Sequence, residues 1–240
     1  MRSGREGTKV NRRATPADRQ RDSSVRDADW VGTEIERMIV TGDLLPGQPV
    51  RQELMAERLG VSRLPIREAL SRLASQGLVE HRRNVGYAIV RLEQSEFDQI
   101  YLMRNVLERE VLASLPAFDD DALTEIRALG DRVSDAAERA DLLEMRLANQ
   151  EFHFAMFDRS PLGLVVTEIR RLWRLAMPYH AAYLFDAEVR RRVVAEHEAM
   201  IDALAHHDNE RLVTLMDEHR RGGEAGANML LRNTNSTEAP

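Results

Sequence analysis

Cysteine is absent from this chain, lysine is almost absent, and no long apolar run occurs. Without cysteine the chain can form neither a disulfide nor a thiolate metal site. A membrane-spanning helix needs roughly 18 or more consecutive apolar residues, and no such run exists. The N-terminus also has no apolar segment of the kind that signal peptides carry. We therefore expect a cytoplasmic protein, in which arginine carries all the positive side-chain charge except that of Lys9.

The charge of the chain is divided unevenly along its length. The 240 residues are 43% apolar and 31% charged, which is ordinary for a globular protein of one large or two modest domains. Residues 1–91 hold 17 basic and 12 acidic residues, whereas residues 92–240 hold 17 and 28. A basic half joined to an acidic half indicates that only the first half meets phosphate.

The first stretch, residues 1–29, is polar, basic at first, and without apolar periodicity. This composition predicts a disordered basic arm, which either contacts phosphates or is an extension without a function. Helical periodicity starts at Trp30, and Gly42, Pro46 and Gly47 predict a helix end followed by a turn.

Residues 54–70 carry the most informative pattern of the sequence, a helix, a tight turn and a second helix. A short helix runs from Arg51 to Leu59, and Gly60 is a good helix stop because glycine tolerates positive φ. Ser62 can cap the next helix, and Pro65 falls in its first turn, where a missing N–H costs little. The buried stripe of that helix is predicted to be Ile66, Ala69, Leu70 and Leu73.

The opposite edge of this second helix presents Arg63, Arg67 and Ser71, spaced four residues apart. An arginine fork can bond guanine O6 and N7 together, so this edge suits a DNA major groove. Arg67 could instead form a salt bridge on the helix surface.

Two short strand-like runs, 78–81 and 87–90, flank a basic tip that contains Arg82, Arg83 and Gly86. Three helices followed by a hairpin predict a winged helix-turn-helix DNA-binding domain over residues 30–91. The alternative is a small α+β domain with a basic surface.

The remainder, residues 95–230, is predicted to be helical throughout, so the fold class is mainly α: a winged helix-turn-helix followed by an all-α bundle. Ser95 with Asp98 resembles a capping box at its start. About six helices are expected, at 95–115, 119–139, 141–158, 161–176, 186–206 and 208–230.

Three histidines of this half, His153, His197 and His219, lie on the apolar stripes of different predicted helices and should face the interior. Asn149 precedes His153 by four residues and shares its side of the helix. A lone buried histidine is usually a structural residue, but three inward imidazoles on separate helices favour a site for zinc, nickel, copper or iron(II).

These residues carry a family resemblance. Residues 30–91 resemble the GntR family of bacterial transcription regulators, and the helical half resembles the FCD ligand-binding domain of its FadR-type branch. The first likeness rests on Pro46-Gly47, Leu59-Gly60-Val61-Ser62-Arg63, Pro65, Arg67-Glu68-Ala69-Leu70, Leu73, Gly77-Leu78-Val79 and Gly86. The second rests on Arg104, Glu108, Asn149, His153, Glu196-His197 and His219.

For the DNA half, the resemblance implies that Arg63 and Arg67 face DNA, that Ser62 donates to a phosphate, and that Arg82 and Arg83 lie against the backbone or the minor groove. Members of the family bind near-palindromic operators as dimers. We therefore expect a homodimer held mainly by the helical half.

For the helical half, the resemblance implies a divalent metal, with zinc or nickel favoured, bound by Asn149, His153, His197 and His219. The neutral amide at position 149, where a carboxylate is commoner, leaves the site with two positive charges and should weaken metal binding. Such a site favours a small carboxylate effector that also pairs with Arg104. Arg104 could instead form a salt bridge with Glu108.

The function that combines these features is an effector-responsive transcription regulator, expected to be a repressor and not an enzyme. A metalloenzyme or metal-sensing bundle with an accessory DNA-binding domain is one alternative, and an architectural DNA binder is another. Di-iron bundles use Glu-x-x-His pairs, but Gln150, Val194 and Met216 stand three residues before the histidines. No P-loop or His-Glu-x-x-His sequence occurs either.

Overall fold

The computed structural model describes residues 16–179, 184 and 186–236. Within these ranges the chain forms nine α-helices, a three-residue 3-10 helix and one three-stranded antiparallel sheet. The elements are α1 (Pro16–Thr41), β1 (Pro49–Val50), α2 (Gln52–Leu59), α3 (Arg63–Ser75), β2 (Val79–Arg82), β3 (Gly86–Ile89), α4 (Gln94–Ala113), α5 (Asp120–Glu138), α6 (Leu142–Phe157), α7 (Gly163–Ala176), the 3-10 helix (Met177–Tyr179), α8 (Ala187–Ala205) and α9 (Asn209–Ser236).

The N-terminal part is the winged helix-turn-helix that the sequence predicts. Helix α2 ends at Gly60, whose φ of 66° lies in the left-handed region, so the chain turns sharply into α3. The hairpin of β2 and β3 turns through Asn84 and Gly86, which both have positive φ. The sheet has the order β1-β3-β2, because residues 49 and 50 pair with β3; the sequence predicted no strand for these two residues, which follow the turn predicted at Pro46 and Gly47.

The core of this unit joins α1 to the helix-turn-helix. Its buried stripe on α3 is the predicted one, and a matching stripe on α1 packs against it. Arg72 ties the two helices together through the Ala28 carbonyl, at 3.0 Å, and the Asp29 carboxylate. The largest fully buried side chains here are Ile35, Met38, Ile39, Ile66, Leu70, Leu73, Leu78 and Ile89.

The prediction of a disordered arm over residues 1–29 is wrong for its second part. Residues 1–15 lie outside the described residues, but α1 begins at Pro16 and runs without a break into the packed segment. Proline is well suited to the first helical position, and extending a formed helix costs far less than nucleating one. The packed end of α1 therefore supports a polar first half that has no apolar stripe of its own.

The C-terminal part is an all-helical bundle of α4 to α9, as predicted, with most helix ends within three residues of the expected positions. Its start differs in detail. The Glu96 side chain accepts a hydrogen bond from the Glu93 N–H at 2.9 Å, so the cap lies two residues before the predicted Ser95 and Asp98. The last helix continues to Ser236 and not to residue 230. Ser62 occupies the N-cap position of α3, but its side chain makes no capping hydrogen bond.

Side chains near the 3-10 helix connect the two parts. The Leu92 N–H donates to the buried Tyr179 hydroxyl at 2.7 Å, which fixes the connector between β3 and α4. Met177 packs against the N-terminal core. Among the helices that the structure describes, none combines the length and the apolar character that crossing a membrane would take.

Candidate functional site

The first candidate site is the exposed edge of α3. Arg63, Arg67 and Ser71 are all exposed, whereas Ile66 and Leu70 on the opposite side are fully buried. The apolar stripe anchors the helix to the core, so the polar edge has to point outward. The structure therefore places the three predicted DNA-facing side chains of α3 in solvent.

The two arginines of this edge differ in their surroundings. A guanidinium nitrogen of Arg63 lies 2.6 Å from a carboxylate oxygen of Glu53 on α2, with both side chains about 70% exposed. Exposed pairs of this kind contribute at most about 1 kcal/mol, so DNA could displace Glu53 at little cost. The salt bridge considered for Arg67 is not observed in the described ranges.

The remaining predicted DNA contacts are also accessible to different degrees. Ser62 and Arg83 are exposed. Arg82 is half-buried, and its Nε donates to Glu80 Oε1 at 2.9 Å within β2. Arg83 is thus the freer cation at the tip of the hairpin.

The second candidate site is a cluster of three imidazoles inside the bundle. His153 on α6, His197 on α8 and His219 on α9 are all buried, and one ring nitrogen from each lies within 4.8 Å of the others. The Nε2 atoms of His153 and His219 are 3.1 Å apart. The sequence predicted that all three face inward, and the structure brings them together.

Aromatic side chains enclose this cluster. Phe152 stacks on His197 with ring centroids 4.2 Å apart, and Trp173 on α7 lies 5.2 Å from His153. Both ring nitrogens of His197 and Nδ1 of His153 are buried and have no hydrogen-bond partner within the described part of the chain. A buried polar atom without a partner destabilises the folded protein by about 1–3 kcal/mol. Three such atoms in one cluster are therefore strongly destabilising unless a ligand binds there.

A metal ion fits this geometry. Two imidazole nitrogens bound to one metal at about 2.0–2.1 Å are separated by about 2.9–3.3 Å at octahedral to tetrahedral angles. The observed separation of 3.1 Å between the Nε2 atoms of His153 and His219 lies in that interval. One of the two unpartnered ring nitrogens of His197 supplies a third donor atom of the type that zinc and nickel prefer.

The protonation of the cluster suits metal binding too. Burial, followed by the positive charges of neighbouring groups, lowers the pKa of His153 well below its usual value. Burial likewise lowers the pKa of His197. Only a neutral imidazole can coordinate a metal, so these two side chains are already in the required state near neutral pH.

Glu196 orients one of the histidines. Its Oε2 lies 2.7 Å from Nδ1 of His219, and Arg192 contacts its other oxygen at 3.3 Å. A carboxylate on the far nitrogen of a metal-binding imidazole fixes the ring orientation and raises its basicity. The sequence marked Glu196 only as part of a family pattern, because no spacing connects a residue of α8 with one of α9.

Asn149 and Arg104 complete the predicted set. Asn149 is partly buried on α6, one turn before His153. Arg104 is buried on α4 and forms the salt bridge with Glu108 that the sequence left open, with Nε 2.8 Å from Oε1. Its guanidinium also lies over the Trp173 ring, 4.4 Å from the centroid, and its charge lowers the pKa of His153. Arg104 is therefore both a salt-bridge partner and a cation close to the cluster.

Two family models match the chain. The gntR family of bacterial regulatory proteins matches residues 28–89, and the FCD domain matches residues 99–222. The HTH-type transcriptional regulator McbR of Escherichia coli is 27% identical over 184 residues, which cover 75% of this chain and 83% of McbR. The gluconate operon transcriptional repressor of Bacillus licheniformis is 24% identical over 199 residues, covering 79% and 80%.

The fold has a solved counterpart. The structure of E. coli McbR/YncC superimposes with a TM-score of 0.75 at 23% identity, covering 85% of this chain and 98% of that one. The likeness covers both the helix-turn-helix unit and the helical bundle. The chain belongs to the gntR family of bacterial regulatory proteins, carries an FCD domain, and is a DNA-binding transcriptional regulator and not an enzyme.

Proposed function

We propose that this regulator is a cytoplasmic repressor whose operator affinity depends on a divalent metal and a small carboxylate bound in the helical bundle. The observation that carries the proposal is the cluster of three buried imidazoles, of which three nitrogens are without a partner in the described ranges. The names of two relatives, the gluconate operon transcriptional repressor and the repressor GlaR, favour repression. The two functional units are taken as residues 30–91 and 95–230.

For DNA binding, the proposal assigns base contacts to Arg63 and Arg67 and phosphate contacts to Ser62. Ser71 extends the same edge of α3, and its exposure supports this role. The wing arginines, Arg82 and Arg83, are assigned to the backbone or the minor groove. A guanidinium that reads guanine must be able to move into the groove, and the ion pair that Arg63 forms is exposed.

For the bundle, the proposal assigns the metal to His153, His197 and His219, with the amide oxygen of Asn149 as a fourth ligand. Four neutral ligands leave both charges of a zinc or nickel ion uncompensated. A carboxylate would offset that charge, and Arg104, whose charge reaches His153, supplies a second attraction for an anion. The proposed effector is therefore a small carboxylate.

A homodimer is proposed through the bundle. Helix α4 exposes Leu102, Met103 and Val106, which are 62%, 39% and 54% accessible. Leu102 and Val106 are four residues apart, so they lie on one side of the helix. A second copy related by a two-fold axis would cover this patch and would match a palindromic operator. Gel filtration of a Leu102→Glu, Val106→Glu variant should give the monomer mass, and a wild type that is monomeric at micromolar concentration would contradict the dimer.

Calorimetry tests the metal assignment. Titration of zinc or nickel into the metal-free protein should show one site per chain, and His197→Ala should lose it. His206→Ala is the matched control, because that histidine is exposed at the end of α8. Equal metal binding by wild type and His197→Ala would overturn the site.

Operator binding tests the function. A mobility-shift assay on the DNA upstream of the protein's own coding region, with EDTA, with zinc, and with zinc plus candidate acids, separates three possibilities. A change on adding acid supports the carboxylate effector, and a change with metal alone indicates a metal sensor. Unchanged binding in every arm indicates an architectural role and contradicts the proposal.

A further inference from the structure

One side chain holds the DNA-binding unit to the metal-bearing helix. The guanidinium of Arg146, on α6, donates from Nη1 to the Val40 carbonyl at 2.6 Å and from Nη2 to the Met177 carbonyl at 2.9 Å. Val40 belongs to α1 of the N-terminal unit, and Met177 is the C-cap of α7. The planar guanidinium group thus bonds one backbone carbonyl oxygen from each unit.

Both acceptor carbonyls lie at the C-terminal end of a helix, where a cation is stabilising. The carbonyls in the last turn of a helix have no partner within it, and the helix dipole gives that end a partial negative charge. Val40 is the penultimate residue of α1, and Met177 follows directly after α7. Arg146 therefore caps two helices at once with charge-assisted hydrogen bonds, which are stronger than neutral ones.

The position of Arg146 along α6 connects this clamp to the histidine cluster. Asn149 and His153 follow Arg146 by three and seven residues, so all three lie along one stripe of the helix. Seven residues of helix span about 10 Å. Helix α6 is continuous from Arg146 to His153, so this part of the helix should move as a rigid body.

The interface next to the clamp leaves room for such a shift. A cavity of about 400 Å³ lies between the two units and is lined by Arg146, Val40 and Met177 among others. Residues around a cavity can rearrange at less cost than residues in a close-packed core. A displacement of α6 at His153 can therefore move the guanidinium of Arg146 relative to α1.

We infer that Arg146 is the positioning residue through which the metal site sets the orientation of the DNA-binding unit. The inference rests on the proposed metal site. Binding of a metal to His153 changes the position of α6, and Arg146 transmits that change to the end of α1 through the Val40 carbonyl. Occupancy in the bundle then changes operator affinity without any contact between metal and DNA.

Arg146→Met tests this role, because methionine keeps the apolar stem and removes both hydrogen bonds. Arg170→Met is the matched control: Arg170 lines the same cavity, but it bonds Asp158 at 2.7 Å within the bundle.

Fluorescence anisotropy with operator DNA, in EDTA and in zinc, measures how far zinc changes the operator affinity. The change should be about fivefold or more in the wild type and in Arg170→Met. In Arg146→Met the effect should fall below twofold, while calorimetric zinc affinity stays within threefold of wild type. Arg146→Lys, which can keep one of the two bonds, should restore part of the effect.

Hydrogen exchange on metal-free protein gives a second readout. The N–H of Leu44 bonds the Met38 carbonyl at 3.0 Å just after α1 ends. Loss of the clamp should speed exchange at this amide in Arg146→Met and leave it unchanged in Arg170→Met.

The outcomes separate the two proposals. Wild-type protein that binds no metal would overturn the proposed function and this inference with it. Wild-type protein that shows the zinc effect, together with an Arg146→Met variant that keeps it in full, would overturn the role of Arg146 alone. Equal exchange at Leu44 in Arg146→Met and wild type would likewise contradict the clamp.

Discussion

The two units present their functional groups in opposite ways. On the N-terminal unit Arg63, Arg67 and Arg83 are exposed, and the ion pair of Arg63 with Glu53 is exposed too. In the bundle His153 and His197 are buried, and their lowered pKa values keep them neutral. A surface of this kind can bind a partner when only exposed side chains move, whereas the buried cluster gains partners for its ring nitrogens only when a ligand is bound.

This contrast predicts different consequences of mutation. Removing an exposed arginine should weaken binding and leave stability unchanged, because the side chain packs against little. Removing a buried histidine should change ligand binding and stability together. The first two of the four predictions below test that division, and the four are ordered from the largest expected effect to the smallest.

The double variant Arg63→Ala, Arg67→Ala should lose operator binding. Each bidentate contact to guanine is worth about 1–3 kcal/mol, so the pair should cost roughly 30-fold or more in affinity. Fluorescence anisotropy measures the loss, and thermal unfolding should show an unchanged midpoint. Arg132→Ala, which removes two salt bridges on the surface of the bundle, is the control and should bind DNA normally. Retention of full affinity by the double variant would refute the assignment of the α3 edge.

His197→Ala should abolish the stabilisation that a metal provides. Zinc at a hundred times its dissociation constant should raise the free energy of unfolding of the wild type by about 2.7 kcal/mol. The variant should unfold at the same urea concentration with zinc and with EDTA, and operator affinity in EDTA should match that of the wild type. An equal zinc-dependent gain in both proteins would place the metal elsewhere.

Glu196→Gln should weaken the metal site without removing it. Loss of the carboxylate on Nδ1 of His219 lowers the basicity of that imidazole, and such changes cost about 10–100-fold in metal affinity. Competition with a chromophoric chelator measures this range. Glu198→Gln on the same helix is the control. A Glu196→Gln protein with wild-type zinc affinity would show that Glu196 plays no part in the site.

The smallest expected effect concerns Glu36, which lines the cavity between the units. Burial raises the pKa of Glu36, and the charges of Arg174 and Arg72 only partly offset this. The charged carboxylate therefore lowers the free energy of unfolding at neutral pH. This destabilisation disappears as the pH falls through the range in which Glu36 titrates. Glu36→Gln should unfold at slightly higher urea than wild type at pH 7, and the difference should vanish near pH 4. A variant that is less stable at pH 7 would show that the carboxylate is compensated.

The features that the sequence predicted are those set by local chemistry. Gly60 ends α2 because of its left-handed φ, and the stripe of Ile66 and Leu70 faces the core because of helical spacing. The inward direction of the three histidines follows from the same spacing. These patterns require only neighbours along the chain.

The features that the sequence did not predict depend on contacts between distant segments. Residues 49 and 50 form β1 only because β3 lies alongside them. Glu196 contacts His219 on the next helix, and Arg146 bonds the Val40 carbonyl of the other unit. The prediction of a disordered arm failed for a related reason. The helix extends back to Pro16 because the other end of α1 is packed in the core.

Reciprocal binding measurements test most directly whether the two units act on each other. Linkage requires that operator DNA change the zinc affinity by the same factor as zinc changes the operator affinity. We expect zinc titrations with and without saturating operator DNA to give dissociation constants that differ by about fivefold or more, matching the anisotropy ratio. Identical zinc affinities in the presence and absence of operator DNA would contradict control of the DNA-binding surface by the histidine cluster.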